Sequence, residues 1–152
     1  VSIFHSMNIS ASALTAQRLR MDTISSNIAN AETTRAELDD DGNWKPYRRK
    51  QVVFEPGEND FGTFLKQAKA SSATSGQGVR VSEIREDNSE PFKLEYNPNH
   101  PDANEDGYVQ LPNVDPLREM VDLMSATRSY EANITSVNAS KTMLMKALEI
   151  GK

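Results

Sequence analysis

The sequence predicts an α+β chain: long, coiled-coil-like N- and C-terminal helices packed together, with a small β-rich module inserted between them. Three observations predict it. Apolar residues recur at heptad spacing near both ends, no Gly or Pro interrupts the C-terminal run between Pro116 and Gly151, and short alternating apolar runs fall only in the middle. The division expected is a discontinuous helical domain, 1–34 with 113–152, and a β-rich module over 35–112 with a flexible loop near 57–78.

The N-terminal helix is expected from residue 4 to about 31. Met7, Leu14, Met21 and Ile28 recur every seventh residue, flanked by Ile3, Ala11, Ile24 and Ala31. Ser10, Ser12, Ser25 and Ser26 lie beside this stripe, so it favours close helix–helix approach over a deep core. Asn27, Asn30, Thr33 and Thr34 are weak helix formers and suit a terminus.

In the middle region, Asp39-Asp40-Asp41-Gly42-Asn43 reads as a turn and Tyr47–Phe54 as a strand ending at Pro56. Gly57 to Gly78 reads mostly as loop, with a short helix over Phe61–Ala70. Val79 and Val81 alternate, as do Phe92, Leu94 and Tyr96, and Tyr108–Leu111 forms a last short run. Three or four short strands are expected.

The C-terminal helix opens on Asp115 as N-cap with Pro116 in the first turn, and Gly151 closes it. A capping box is ruled out because the third helical position is Arg118. Its seam runs Met120, Leu123, Thr127, Tyr130, Ile134, Val137, Lys141, Leu144, Leu148. At about 1.5 Å per residue the run is a rod of roughly 50 Å. Seven apolar seam side chains would supply about 10–20 kcal/mol on full burial. Ordering each backbone residue costs about 1–2 kcal/mol before hydrogen bonds offset part of it. Such a helix needs other helices to pack against.

Composition narrows the function classes. At 152 residues the chain holds one core domain, or a small domain plus extended elements. One Trp, five Phe and four Tyr give little material for a large core. A net charge of −5 argues against a dedicated nucleic-acid binder, and the absence of Cys rules out disulfides and thiolate metal sites. The first residues lack the basic and apolar regions of a cleavable secretory signal, and no apolar run is long enough for a membrane span.

Candidate chemistry is sparse. Asp102-Ala-Asn104-Glu-Asp106-Gly107 matches the start of a calcium loop, but position twelve is Asn113, which cannot supply a bidentate carboxylate. A Gly-centred turn leading into a strand is the simpler reading. His5 and His100 sit in unrelated segments, and no phosphate-binding glycine motif occurs. Arg48-Arg49-Lys50 reads as a solvated strand edge, with contact to an acidic partner as the alternative. Three Asn-x-Ser/Thr triplets lie on expected helices and read as chance matches. No catalytic residue, metal or cofactor is expected.

The terminal segments resemble the bacterial flagellar basal-body rod proteins. Ser25-Ser26-Asn27-Ile28-Ala29-Asn30-Ala31-Glu32-Thr33 is similar to the element that closes that family's N-terminal helix. Glu119–Met124, Arg128–Asn133 and Met143-Leu144 resemble its C-terminal helix, while Tyr47–Phe54 and Gly107–Val114 are most like its short proximal-rod members. The resemblance implies a structural, non-enzymatic subunit of a drive shaft that crosses the periplasm and transmits torque to hook and filament. It implies export through the flagellar export apparatus without a cleaved signal, and helical assembly with copies of itself and other rod proteins, with bushing or ring proteins as further expected partners. The terminal helices would then form the polymer core and the middle segment its outside. On that reading Met7, Leu14, Met21 and Ile28 pack between subunits from one helix. From the other helix come Met120, Leu123, Tyr130, Ile134, Val137, Leu144 and Leu148. Asn27, Asn30 and Asn133 become hydrogen-bonding positions that fix register. A non-polymerising helical-hairpin adaptor for another coiled coil is the alternative, and a stable dilute dimer or hairpin would mark it.

Overall fold

The computed structural model describes residues 3–39, 42–57 and 78–151. The expected helix over 61–70 and the interior of the expected 57–78 loop lie outside the described residues. Helix α1 spans Ile3–Ala29. It ends where Asn30 takes over Ser26: the Asn30 backbone N–H (3.1 Å) and its side-chain amide (2.9 Å) both donate to the Ser26 carbonyl. Thr33 Oγ1 then donates to Asn30 Oδ1 at 3.2 Å. A terminus built from short polar side chains is what the weak helix formers predict.

Strands β1 (Glu37–Leu38) and β2 (Trp44–Lys45) form a small antiparallel hairpin with Leu38 opposite Trp44. Between them Gly42, at φ 80°, donates its N–H to the Asp39 carbonyl at 2.8 Å, and the Asp39 N–H donates to the Asn43 carbonyl at 2.8 Å. Two-residue strands are too short to leave an alternating pattern, so the sequence shows the turn but not its flanks.

Strand β3 (Lys50–Pro56) pairs with β4 (Val79–Glu86), and β5 (Lys93–Tyr96) pairs antiparallel with β6 (Tyr108–Leu111). The strand expected from Tyr47 starts at Lys50. Upstream, the backbone bonds elsewhere: the Tyr47 N–H donates to the Thr33 carbonyl (3.0 Å) and the Arg49 N–H to Asn113 Oδ1 (2.8 Å).

Helix α2 spans Pro116–Ile150. Asp115 caps it as expected, its Oδ1 accepting the Leu117 N–H at 3.1 Å, and the Gly151 N–H closes the last turn on the Ala147 carbonyl at 3.2 Å. The helices pair antiparallel, since Arg20 meets Asp122 and Asn27 meets Glu119.

The inner face of α2 differs from the expected seam. Glu119, Leu123, Ala126, Tyr130, Asn133, Val137, Ser140 and Leu144 are buried or half-buried, whereas Met120, Ile134, Lys141 and Leu148 are exposed. Half of the heptad positions on the inner face are therefore small or polar, and at Glu119 the buried side chain is large and charged.

By its contacts the chain divides into two units that cut across both helices. Unit 1 comprises residues 1–19, 53–83 and 126–152, and unit 2 comprises 20–52 and 84–125. Among the described residues the buried positions of unit 1 are Ser10, Ala16 and Ala126. Those of unit 2 include Ile24, Asn27, Tyr47, Val109, Asn113, Val114 and Glu119.

Candidate assembly interface

Unit 2 is organised around a buried polar cluster. Glu119, in the first turn of α2, is 0 % exposed, and Asn27, near the end of α1, is 1 % exposed. The Asn27 amide donates to Glu119 Oε2 (2.9 Å) and to the Lys50 carbonyl (2.9 Å). Its Oδ1 accepts the Tyr47 hydroxyl (3.0 Å) and the Lys50 N–H (3.0 Å). Every hydrogen-bonding position of that amide is filled.

The other Glu119 oxygen accepts Arg49 Nε at 2.6 Å. The same guanidinium reaches Asp87 Oδ2 at 3.2 Å and lies 3.6 Å from Asp122 Oδ2. Asn113 holds the backbone around this centre: its Oδ1 accepts the Arg49 N–H at 2.8 Å, and its amide donates to the carbonyls of Asp87 (2.9 Å) and Glu90 (3.2 Å). Burial works against the Arg49 charge, but the bonds to Glu119 and Asp87 outweigh it and raise the Arg49 pKa. The Ser89 hydroxyl and backbone N–H, helped by Arg49 and Gln51, hold Asp87 down to about 2.

These bonds correct the reading of Arg48-Arg49-Lys50 as a solvated edge. Arg49 is enclosed by carboxylates, Arg48 stacks 4.3 Å from the Phe92 ring centroid, and the Lys50 ammonium lies 5.7 Å from that of Tyr47. Sequence reading missed Glu119, Tyr47, Asp87 and Asn113 as functional positions. The signal for Glu119 was a carboxylate at the N-terminal turn of a helix, four residues after its N-cap.

The calcium-loop motif is a turn. Asp102 is engaged by Arg35 (Nε 2.6 Å, Nη2 2.5 Å) and Thr34 (2.8 Å), bonds that hold its carboxyl below the usual range. Asn104 Oδ1 accepts the N–H groups of Asp106 (3.1 Å) and Tyr108 (2.8 Å), and Gly107 at φ 81° leads into β6. Among the described residues no group of three His, Asp or Glu side chains could hold a metal ion. No described helix is long and apolar enough to cross a membrane.

The residues expected between subunits fall into three groups. Met7, Leu14, Met21 and Ile28 are half-buried on the shoulder of α1, and Leu123, Tyr130, Val137 and Leu144 are half-buried on α2. Met120 (47 %), Ile134 (38 %) and Leu148 (74 %) are exposed. Of the amides, Asn30 and Asn133 each bond back one helical turn, to the carbonyls of Ser26 (2.9 Å) and Ser129 (2.8 Å). Asn27 is enclosed, so its register-fixing bonds lie within its own chain and it presents no surface to a neighbour.

Further exposed apolar side chains join Met120 without having been expected. Leu117 (72 %), Val121 (54 %) and Met124 (55 %) lie with it at helical spacing in unit 2. In unit 1, Met143 (61 %), Met145 (54 %) and Ile150 (86 %) are exposed on the same helix.

Comparison with known proteins places these helices. The flagella basal body rod protein family matches residues 7–36, and the flagellar basal body rod FlgEFG protein C-terminal family matches residues 105–150. The chain is 59% identical over 152 residues to the flagellar basal-body rod protein FlgC of Bacillus subtilis, with 100% of both chains covered. It is 46% identical over 157 residues to FlgC of Borreliella burgdorferi, covering 99% of this chain and 98% of that one. Against FlgC of Salmonella typhimurium it is 40% identical over 152 residues, again with 100% of both covered. With end-to-end identity to these relatives and both terminal helices matched, the chain belongs to the FlgC family of flagellar basal-body rod proteins, structural components of the basal body rather than enzymes.

Proposed function

We propose that this chain polymerises helically, with copies of itself and with other rod proteins, into the proximal part of a drive shaft that transmits torque to hook and filament. The terminal segments 1–34 and 113–152 form the core of that polymer and residues 35–112 its outside. The chain reaches its place through the flagellar export apparatus without a cleaved signal, and bushing or ring proteins bear on the outer segment. The stripe Met7, Leu14, Met21, Ile28 and the outward side chains of α2 pack against neighbouring subunits.

One observation carries the reading: α2 turns Leu123, Tyr130, Val137 and Leu144 toward its own chain, yet leaves a second set of large apolar side chains outside. Leu117, Met120, Val121 and Met124 each keep about half or more of their surface exposed. Burying what remains is worth about 1 kcal/mol apiece, roughly 4–6 kcal/mol together. Association costs about 4–15 kcal/mol. The gain from one such patch is no more than comparable to that cost, and contacts with several neighbours add to it.

The test is Leu117→Glu with Val121→Glu. The purified subunit should keep its melting stability within about 0.5 kcal/mol, as exposed substitutions do, while incorporation into basal bodies and swimming are lost. Normal incorporation and swimming would overturn the proposal. A discrete dimer in dilute solution that never extends would favour the hairpin adaptor instead.

A further inference from the structure

The chain has six methionines and no cysteine, so thioethers are its only oxidisable sulfurs. They are unevenly placed. Met7 and Met21 are half-buried on α1, whereas in unit 2 Met120 and Met124 are 47 % and 55 % exposed, one helical turn apart beside Leu117 and Val121, and in unit 1 Met143 and Met145 are 61 % and 54 % exposed. The more exposed methionine side chains of unit 2 therefore belong to its apolar helix surface.

We infer that Met120 and Met124 are oxidation sites of the unassembled chain, and that their conversion to sulfoxide excludes it from the rod. The inference rests on the assembly reading above. Hydrogen peroxide supplies the oxygen. The sulfur lone pair attacks one peroxide oxygen, an S–O bond forms as the O–O bond breaks, and the sulfur gives up two electrons. The departing hydroxide takes the proton from the transferred oxygen and leaves as water. The product carries a strong polar acceptor where an apolar, adaptable side chain stood. Buried unpaired at a subunit joint, that oxygen weakens the joint about tenfold or more. Once packed, the same sulfurs are shielded, so sensitivity is confined to chains awaiting assembly.

Two measurements test this. Purified full-length chain exposed to hydrogen peroxide and read by peptide mass spectrometry should gain oxygen at Met120 and Met124 before Met7 and Met21; the reverse order, or a uniform rate, overturns the inference. Cells are then given a brief hydrogen peroxide pulse during heavy-isotope labelling, so that newly incorporated chains are identified by mass. Labelled chain in basal bodies should carry about tenfold less sulfoxide at Met120 and Met124 than the labelled unassembled pool. Equal occupancy in the two pools overturns the inference while leaving assembly intact. Labelled chain missing from unstressed basal bodies would instead overturn the assembly reading and, with it, this inference.

Discussion

Unit 2 and unit 1 share the same two helices yet hold them by different chemistry. In unit 2 the most enclosed side chains include Asn27, Asn113 and Glu119, at 1 %, 3 % and 0 % exposure, each hydrogen-bonded to more than one partner. In unit 1 the buried positions are Ser10, Ala16 and Ala126, and Ser10 meets Ser136 across a 3.4 Å hydroxyl contact. The only buried side-chain atom without a partner among the described residues, Gln17 Oε1, also lies in unit 1. Small residues let backbones approach but bury little area, so they contribute little energy. A satisfied polar cluster costs desolvation and in return admits one register. The difference teaches that unit 2 is held by a satisfied polar cluster, whereas the buried positions of unit 1 are small residues.

The largest expected effect breaks the comparison at Glu119. Glu119→Ala leaves Arg49 enclosed without its closest carboxylate and should destabilise the purified subunit by about 3–5 kcal/mol in urea unfolding. A loss below about 1 kcal/mol would mean the cluster does not set the stability of unit 2. Next comes the close approach in unit 1. Gly78 lies against Ser12, whose hydroxyl accepts the Val79 N–H at 3.1 Å and donates to the Ile9 carbonyl at 2.7 Å. Gly78→Ala drives a methyl into that hydroxyl, and rotating it away breaks both bonds, at a cost of about 1–3 kcal/mol in the same assay.

Hydrogen exchange sharpens the boundary. Amides of 20–29 and 116–125 should exchange at least about tenfold more slowly than those of 5–15 and 135–150. Uniform protection along each helix would erase the distinction between the units. The smallest effect is acid lability. Asp87, held from 3.8 down to about 2, contributes stability that is complete above 3.8 and disappears as pH falls through about 2. Asp87→Asn should flatten that part of the acid-unfolding curve, and an unchanged curve would count against the Ser89 and Arg49 bonds.

Much of this architecture was legible before any coordinate. Asp115, Pro116 and Gly151 mark the ends of α2 because capping is local chemistry. The alternating runs at Val79, Phe92 and Tyr108 mark β4, β5 and β6 for the same reason. What stayed hidden depends on partners distant in sequence. Nothing near Glu119 announces that Arg49 will meet it, and the apolar spacing of α2 fits Met120 as readily as Glu119. Period reports apolar residues whichever partner they face, so Met120, Ile134 and Leu148 share the seam's spacing while lying outside the face that packs within the chain.

Under load, the Arg49 guanidinium is a branching strut. A pull on the segment leading into β3 reaches α2 at Glu119 and Asp122 and the β4–β5 connection at Asp87, through bonds arranged in parallel. Parallel bonds share a force, and one that breaks can re-form while the others hold. The Ser10–Ser136 hydroxyl contact is, by comparison, a single bond without branches. A guanidinium held by three carboxylates is thus a stiff coupling between the lead-in to β3 and the start of α2.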